Sequence, residues 1–530
     1  MTRKLTLLLA LVPLVALAVQ HRAQTRSQQA VEVTNLRVEN LSRPLGIDTA
    51  KPRFSWQIMS NQQDVRQTAY QIALTFSGGL PMLKKLSHRP AASRPVRIAD
   101  APSPVVFPAA LEYNAPVHGT WNIVHIGMQV PEAVQIYVCA DNCMRGVIMT
   151  ADEMGLGDRF CCVTLSERDM LVGNIEEITI RGVSDAIEKL GYHPPMVMLF
   201  TVCVHVYLGA DLDYIYRKLG ERYPDVFFAR CYMDPINQRT GPTPEMKLRL
   251  AMFDPILPMP KDLRAVNLLG CDAPHGENSD LLSLLRENGF RVRQLTDCKT
   301  YADFLALGDA ACNLCAYPTG DGAVRRLAER LGTPYLYLSQ PFAYPEIVEK
   351  QNDLRALLGL PLGSCQAQCE ACDARLAALR ERLAGRAVCL DYTATPRPIS
   401  MARLLLEHGI RLEKLYIDAV GPEETADFAF LREHFPDLML HPTLRPEQRT
   451  VERPETETLA IGQKAAFFEN TPWFVNMVEG GGLWGFAGIL GLCERMEQAI
   501  AERKNTRDLV MRKGLGCASC CSTPDWREKP

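Results

Sequence analysis

The sequence predicts an α/β protein with three Rossmann-like parallel-sheet domains, preceded by a signal peptide and a short β fragment. From about residue 120, short apolar runs alternate with helix-length amphipathic segments, which is typical of βα repeats and hence of a parallel sheet. The pattern restarts at "LRAVNLLGC" (263–271) and again at "GRAVCLDYT" (385–393). The chain has 530 residues, too many for one ordinary domain.

The N-terminus has the pattern of a secretory signal peptide, predicted over residues 1–23. The basic pair Arg3-Lys4 precedes an apolar stretch over 5–19, and Ala16-Leu17-Ala18 offers a small-residue cleavage site. A buried helix is the alternative interpretation. The stretch is short for a membrane span, and no apolar run of 18 residues occurs in the rest of the chain.

Residues 31–76 alternate apolar and polar side chains, with breaks at Pro44 and Pro52. This alternation predicts the opening strands of a β-sandwich. Residues 77–104 are aperiodic and rich in Pro, Ser and Ala, which predicts a linker.

The three α/β units follow the linker. In the first, "AVQIYVC" predicts a strand, "NIEEITIRGVSDAIEKL" a helix and "PPMVMLFTVCV" a further strand. The predicted segments are an α/β domain at 105–260 with cysteines at its strand ends, a second at 261–360, a helical connector at 361–384, a third domain with closing helices at 385–505, and a cysteine-containing tail at 506–530.

The amino-acid composition and the net charge limit which classes of function the protein can have. A hydrophobic content of 47% and a charged content of 22% supply enough apolar material for several cores. The formal net charge of -3 gives no electrostatic reason to expect nucleic-acid binding.

The 18 cysteines are clustered along the chain. The clusters are Cys139/Cys143, Cys161/Cys162, Cys312/Cys315, Cys365/Cys369/Cys372 and Cys517/Cys520/Cys521. Such close spacing favours metal or cluster ligation over long-range disulfides. An exported protein would instead use its cysteines for disulfides, so the N-terminus and the cysteines indicate different compartments.

Three cysteines stand at predicted strand ends of the first α/β domain. Cys139 ends one strand, Cys143 lies near the start of the following helix, and Cys203 closes another strand. Because the carboxyl ends of parallel strands face one crevice, these thiols can converge there. Three thiolates would suit an iron–sulfur cluster, while the alternative is that they are small buried hydrophobes.

Other candidates are weaker. Cys161 and Cys162 are further possible ligands, and Cys365, Cys369 and Cys372 share one helix face, which suits either core packing or a second metal site. His205 is close to Cys203, but a lone histidine is more often a satisfied core residue. No G-x-G-x-x-G or Walker motif supports a nucleotide site, and no catalytic residue is assigned.

The order of several motifs resembles the component 1 family of nitrogenase and nitrogenase-like oxidoreductases over roughly 105–500. The motifs are "LSERDMLVGN" (165–174), "CVHVYLGADL" (203–212), "ENSDLLSLLRENGFRV" (277–292), "LAERLGTPYLYLSQPFAYP" (327–345) and "IGQKAAFF…GFAGILGL" (461–492). The resemblance implies three Rossmann-like domains, paired subunits that are homologous or identical, and a cysteine-held cluster of [4Fe–4S] type at their interface. It also implies an ATP-dependent iron–sulfur reductase as partner and a cytoplasmic location.

The sequence also departs from this family. In dinitrogen-reducing subunits a cysteine and a late histidine hold the large catalytic cofactor, whereas here no histidine follows His441. The second domain has no convincing cofactor-cysteine context either. The resemblance is therefore to nitrogenase-like proteins, whose substrates are small molecules or tetrapyrroles.

A second resemblance covers residues 31–75. "LRVENLSRPLGIDTAKPRFSWQI" and "QTAYQIAL" are similar to the N-terminal β-domain of exported bacterial α-L-rhamnosidases. The rhamnosidase catalytic barrel and its carboxylates are missing, which indicates an apparent fusion.

Three functions follow as hypotheses. The first is an oxidoreductase subunit that passes electrons from the reductase through the cluster to its substrate. The second is a non-catalytic scaffold of the same fold for cofactor assembly. The third is an exported carbohydrate-active protein, and this hypothesis rests on residues 1–75 alone.

Overall fold

The computed structural model describes residues 94–108, 112–117, 119–120, 122–234 and 241–506, together with strand residues 6–8, 20–22, 32–38 and 54–59. The chain divides into two compact units, Met1–Ala92 and Ser93–Pro530. Most of the predicted signal peptide, most of the predicted linker and nearly all of the cysteine-containing tail lie outside the described residues.

The first unit contains two antiparallel strand pairs. Strand β1 (Thr6–Leu8) pairs with β2 (Gln20–Arg22), and β3 (Glu32–Val38) pairs with β4 (Phe54–Met59). Both β3 and β4 lie in the region for which alternation predicted strands. The second unit begins with a two-residue strand, β5 (Val96–Arg97).

The first α/β domain contains a four-stranded parallel sheet. Its elements are α1 (Ile123–Met128), β6 (Val134–Cys139), α2 (Asp141–Glu153), β7 (Phe160–Thr164), α3 (Glu167–Val172), α4 (Ile175–Leu190), β8 (Met196–Val202), α5 (Cys203–Tyr207), α6 (Leu212–Arg222), β9 (Phe227–Met233) and α7 (Pro244–Met252). The strand order is β7-β6-β8-β9. Every residue of β6 and β8 is buried, because helices cover both faces of a central parallel sheet.

The second domain repeats this architecture. Its elements are β10 (Asp262–Leu269), α8 (Asp280–Glu287), β11 (Arg291–Gln294), α9 (Tyr301–Leu305), β12 (Ala310–Cys315), α10 (Pro318–Leu331), β13 (Tyr335–Tyr337) and α11 (Tyr344–Leu357). The strands are parallel in the order β11-β10-β12-β13. The apolar residues of α8, Leu281, Leu282, Leu284 and Leu285, are all buried, as its amphipathic pattern predicts.

The third domain follows the predicted helical connector, which is α12 (Gln366–Leu383). Its elements are β14 (Val388–Asp391), α13 (Pro398–Glu407), β15 (Leu412–Tyr416), α14 (Thr425–His434), β16 (Met439–His441), β17 (Leu459–Ile461), α15 (Gln463–Glu469), β18 (Phe474–Val475) and α16 (Gly485–Ala501). The sheet order is β18-β17-β14-β15-β16-β5.

Strand β5 differs from the sequence interpretation. Val96 and Arg97 fall within the segment predicted as a linker, yet they pair antiparallel with Leu440 and Met439 at the edge of the third sheet. Two residues are too few to show a period, so alternation could not reveal this strand.

The largest hydrophobic core lies in the third domain. The long helix α12 packs along α16, and Leu376, Leu379 and Leu383 of α12 are buried there. Within the described part of the chain, no helix has both the length and the apolar character needed to cross a membrane.

Candidate functional site

The carboxyl edge of the first sheet positions two of the predicted cysteines. Cys139 is the last residue of β6, and Cys203 is the first residue after β8, the strand next to β6. Cys139 is fully buried, and its carbonyl oxygen accepts a hydrogen bond of 2.9 Å from the backbone N–H of Leu165. This bond fixes the end of β7 against the end of β6.

Helix α2 positions the third cysteine. The helix begins two residues after Cys139, and the backbone N–H of Cys143 donates to the carbonyl oxygen of Ala140 over 3.0 Å. Cys143 is therefore held in the first turn, with its side chain on the exposed surface. Cys203 is half-buried, so the two outer thiols lie nearer to solvent than Cys139.

Strand β7 contributes a further thiol to this face of the sheet. Cys161 lies opposite Ile136 in the parallel ladder and packs with the core under α4, whereas Cys162 lies opposite Tyr137. Since side chains alternate along a strand, Cys162 shares a face with Tyr137 and Cys139. Cys162 is exposed, which leaves it accessible at this edge.

The thiols influence one another electrostatically. Burial is the main cause that raises the pKa of Cys139 to about 12, and the neighbouring Cys143 and Cys162, then Asp141 and Cys203, contribute to the same rise. Burial, with a smaller contribution from Cys161, raises the pKa of Cys162 to about 11. Cys139 is thus a protonated thiol at neutral pH, and a bound metal would have to displace its proton.

The donor set fits soft-metal chemistry, but the site is not closed. Four thiols lie around one sheet edge, and thiolates are the ligands that iron–sulfur clusters use. Within residues the structure describes, no group of three or more His, Cys, Asp or Glu side chains is arranged to hold a single metal ion. A cluster at this edge would therefore need side-chain movement or ligands from a second chain.

His205 is a satisfied core residue. Its side chain is 1% exposed, the backbone N–H of Val202 donates to Nδ1 over 3.2 Å, and Nε2 lies 3.2 Å from Thr179 Oγ1. Because Nδ1 accepts a bond, the proton belongs on Nε2, which donates to the threonine. Burial lowers the pKa of His205 to about 4, so the imidazole is neutral.

Exposed apolar side chains occur on the helices that follow the thiol-bearing strands. They lie on the three helices that follow β6, β7 and β8: Ile148 and Met149 on α2, Leu171 and Val172 on α3, and Val206 and Tyr207 on α5. Leu171 is 87% exposed and Val172 is 74% exposed, which is unusual for large apolar residues. We call these six residues the apolar rim; such a surface is typical of a binding interface.

The Cys365/Cys369/Cys372 set belongs to the core of the third domain. Cys372 is fully buried, and its Sγ lies 3.6 Å from the carbonyl oxygen of Phe486 on α16. Cys365 is buried and donates to Gln351 Oε1 over 3.3 Å, while Cys369 is half-buried. Of the two interpretations of this helix face, the contacts favour packing.

A buried ion pair joins the first two domains and was not predicted. Arg249 of α7 and Asp272, three residues after β10, are each 2% exposed and form a salt bridge. Gln129 adds hydrogen bonds to the backbone oxygen of Asp272 at 3.2 Å and to its Oδ1 at 3.3 Å. Residues so distant in sequence leave no local pattern by which the pair could have been found.

The family model described as nitrogenase component 1 type oxidoreductase matches residues 126–501. A second model, the Rha78A-like N-terminal immunoglobulin domain, matches residues 33–101. Both of the resemblances seen in the sequence are thereby confirmed.

Solved structures match at the level of the fold. The structure of nitrogenase Cp1 at pH 6.5 is 14% identical, with a TM-score of 0.55, covering 76% of this chain and 96% of that one. The structure of nitrogenase Cp1 at pH 5 is 13% identical, with a TM-score of 0.49, covering 80% and 93%. The first of these, together with three sheets whose strands are parallel except for the edge strand β5, confirms the predicted α/β fold.

Proposed function

Because the chain belongs to the nitrogenase component 1 type oxidoreductase family, we propose that it is the electron-accepting subunit of a nitrogenase-like reductase. Electrons would come from a separate ATP-dependent iron–sulfur reductase. They would reach a small or tetrapyrrole-like substrate.

The observation that carries this proposal is the set of thiols at the carboxyl edge of the first sheet. Cys139, Cys143 and Cys203 would hold an iron–sulfur cluster of [4Fe–4S] type, with Cys162 as the nearest further donor. When bound, such a cluster takes up and releases single electrons at a potential set by burial and hydrogen bonding. Cys139 would supply the buried side of the site, and Cys143 and Cys203 the open side.

The apolar rim supports a second subunit at this edge. A homologous chain or a second copy of this one would cover Leu171, Val172, Val206 and Tyr207, and it would exclude water from the thiols. Excluding water protects a reduced cluster from oxidation and lowers the local dielectric. The same chain could bring the remaining ligands.

We propose a cytoplasmic, reducing location for the oxidoreductase part, because free thiols and clusters persist there. None of the cysteines in the described part forms a disulfide. The immunoglobulin-domain match and the predicted signal peptide would instead suit an exported fusion.

A cofactor-assembly scaffold is the second candidate function. The open arrangement of the thiols favours it, because a scaffold must release what it carries, and no closed metal site is present among the described residues. Supplying a component 2-type reductase and ATP distinguishes the two functions. An electron-accepting subunit is reduced and reoxidised in turnover, while a scaffold binds the cofactor without turnover.

Anaerobic reconstitution of the full chain with iron and sulfide tests the proposal. We expect a brown protein with an EPR signal after reduction, about four irons per cluster, and a large loss of iron in Cys143→Ala and Cys203→Ala. Cys298→Ala, a half-buried cysteine of the second domain, is the matched control and should keep its iron. A colourless, iron-free protein with native circular dichroism would refute the proposal.

A further inference from the structure

A separate cavity lies where the second and third domains meet. Its volume is about 400 Å³, within the range of small-molecule sites. It is lined by Ala273 after β10, by the residues that follow β18, and by one side of the end of α16. None of the thiols of the first domain lines it.

Two cations face this cavity, and neither forms a salt bridge with a carboxylate of the described residues. Arg495 Nη2 donates to the carbonyl oxygen of Gly481 over 2.9 Å, and Lys504 Nζ donates to the carbonyl oxygen of Phe474 over 2.8 Å. Among the described residues, neither cation has an Asp or Glu oxygen within 4.0 Å, although Glu494 lies near enough to Arg495, and Glu502 to Lys504, to act on it electrostatically. Burial lowers the pKa of both groups, because it outweighs the opposing effects of Glu494 on Arg495 and of Glu502 on Lys504.

The loop beside Arg495 is built to hold the guanidinium at the cavity. Gly481 has a φ of +53°, and a β-carbon there would lie 2.3 Å from Arg495 Nη1. Only glycine fits this conformation and this approach at once. The arginine is therefore fixed in place by the backbone rather than by an acid.

The cavity has two chemically different walls. Ala273, Val475, Met477 and Val478 are buried apolar residues, and they form one wall. Arg495, Lys504 and the amide of Gln498 form the other. Glu502 is the one acidic residue that lines it, so the cavity has a single net positive charge.

We propose that this cavity binds a small organic monocarboxylate with a short apolar chain. The planar guanidinium of Arg495 matches a carboxylate in two-point geometry, and Lys504 adds a second donor. The apolar wall accommodates the hydrocarbon part. A single net positive charge suits a monoanion better than a phosphate dianion, which Glu502 would repel.

Calorimetric titration of the full chain with hexanoate at constant ionic strength tests the proposal. We expect saturable binding of one hexanoate per chain, with weaker binding of inorganic phosphate and of hexanol. Arg495→Met and Lys504→Met should each weaken hexanoate binding at least tenfold. Arg503→Met removes the same charge one residue away, at a site 63% exposed, and should bind like the wild type.

Gln498→Glu provides a variant that need not disturb the fold, because Gln498 is exposed. The new carboxylate would neutralise the cavity, and hexanoate binding should be lost while the melting temperature is kept. Equal affinity in the wild type and Gln498→Glu, tighter binding of phosphate than of hexanoate, or a non-saturating signal would each overturn the proposal. The outcome is independent of iron content, so it does not depend on the electron-transfer function.

Discussion

Gly182 of α4 lies directly against Val163 of β7: a β-carbon added to the glycine would be 2.3 Å from Val163 Cγ1. This contact sets how closely α4 packs on the sheet edge that bears the thiols. We expect Gly182→Ala to destabilise the protein by about 1–3 kcal/mol, because overpacking outweighs the helix propensity of alanine. Urea unfolding measures the effect.

The matched control is Gly220→Ala on α6, where a new β-carbon has no neighbour within 4 Å. It should leave the free energy of unfolding unchanged or raise it by up to about 1 kcal/mol. Adding Val163→Ala to Gly182→Ala should recover part of the loss, giving a coupling energy of about 1 kcal/mol. Strict additivity of the two changes would show that the contact does not limit packing.

The neutral state of His205 predicts a loss of stability in acid. Its pKa is lowered to about 4 when folded, against a usual value near 6.5, so the unfolded chain binds more protons between these limits. The free energy of unfolding is therefore unaffected by protonation of this histidine above about pH 6.5. It should fall by about 2 kcal/mol on going to pH 5.

Comparing unfolding at pH 7.5 and pH 5 for the wild type and His205→Asn checks this. The asparagine variant should show a smaller difference between the two pH values. Burial also lowers the pKa values of His275 and His441 to about 4. The asparagine variant should therefore still lose some stability between pH 7.5 and pH 5. If the variant and the wild type lost the same stability between the two pH values, His205 would not have the lowered pKa.

The buried pair Arg249–Asp272 predicts that removing one partner destabilises the protein much more than removing both. Asp272→Ala should cost about 3–5 kcal/mol, because it leaves a buried guanidinium without its partner. Replacing both residues, as Arg249→Met with Asp272→Ala, should recover much of this loss. Glu455→Ala, which breaks the exposed pair with Arg503, is the control and should cost less than about 1 kcal/mol in urea unfolding.

The raised pKa of Cys139, about 12, predicts an unreactive thiol in the protein without iron. We expect iodoacetamide near pH 8 to alkylate the exposed Cys143 and to leave Cys139 unmodified, as read by peptide mass spectrometry. After reconstitution with iron and sulfide, Cys143 should become protected. Alkylation of Cys139 at the rate of Cys143 in the native protein would contradict the buried placement.

Much of the α/β pattern was readable from the sequence. "AVQIYVC" became β6, "NIEEITIRGVSDAIEKL" became α4, and "LEKLYIDAV" became β15 with the residues after it. These segments are long enough to show a period, and buried parallel strands are almost continuously apolar. The placement of Cys139 and Cys203 at neighbouring strand ends followed from the same reasoning.

Other features had too weak a local signal. Strand β7 has a mixed burial pattern at the edge of its sheet, so neither its existence nor the common face of Cys162 and Cys139 was predicted. The same applies to Arg249 and Asp272, which meet only because α7 packs near the end of β10. Their sequence separation hides the relationship.

The sequence by itself determined the family, the three parallel sheets and the strand-end cysteines, because periodicity and motif order are local properties of the chain. Only the tertiary structure decided which thiols share a sheet face, that His205 is a hydrogen-bonded core residue, and that Arg495 and Lys504 line one cavity. These depend on burial and on contacts between distant segments, and both are properties of the packed molecule.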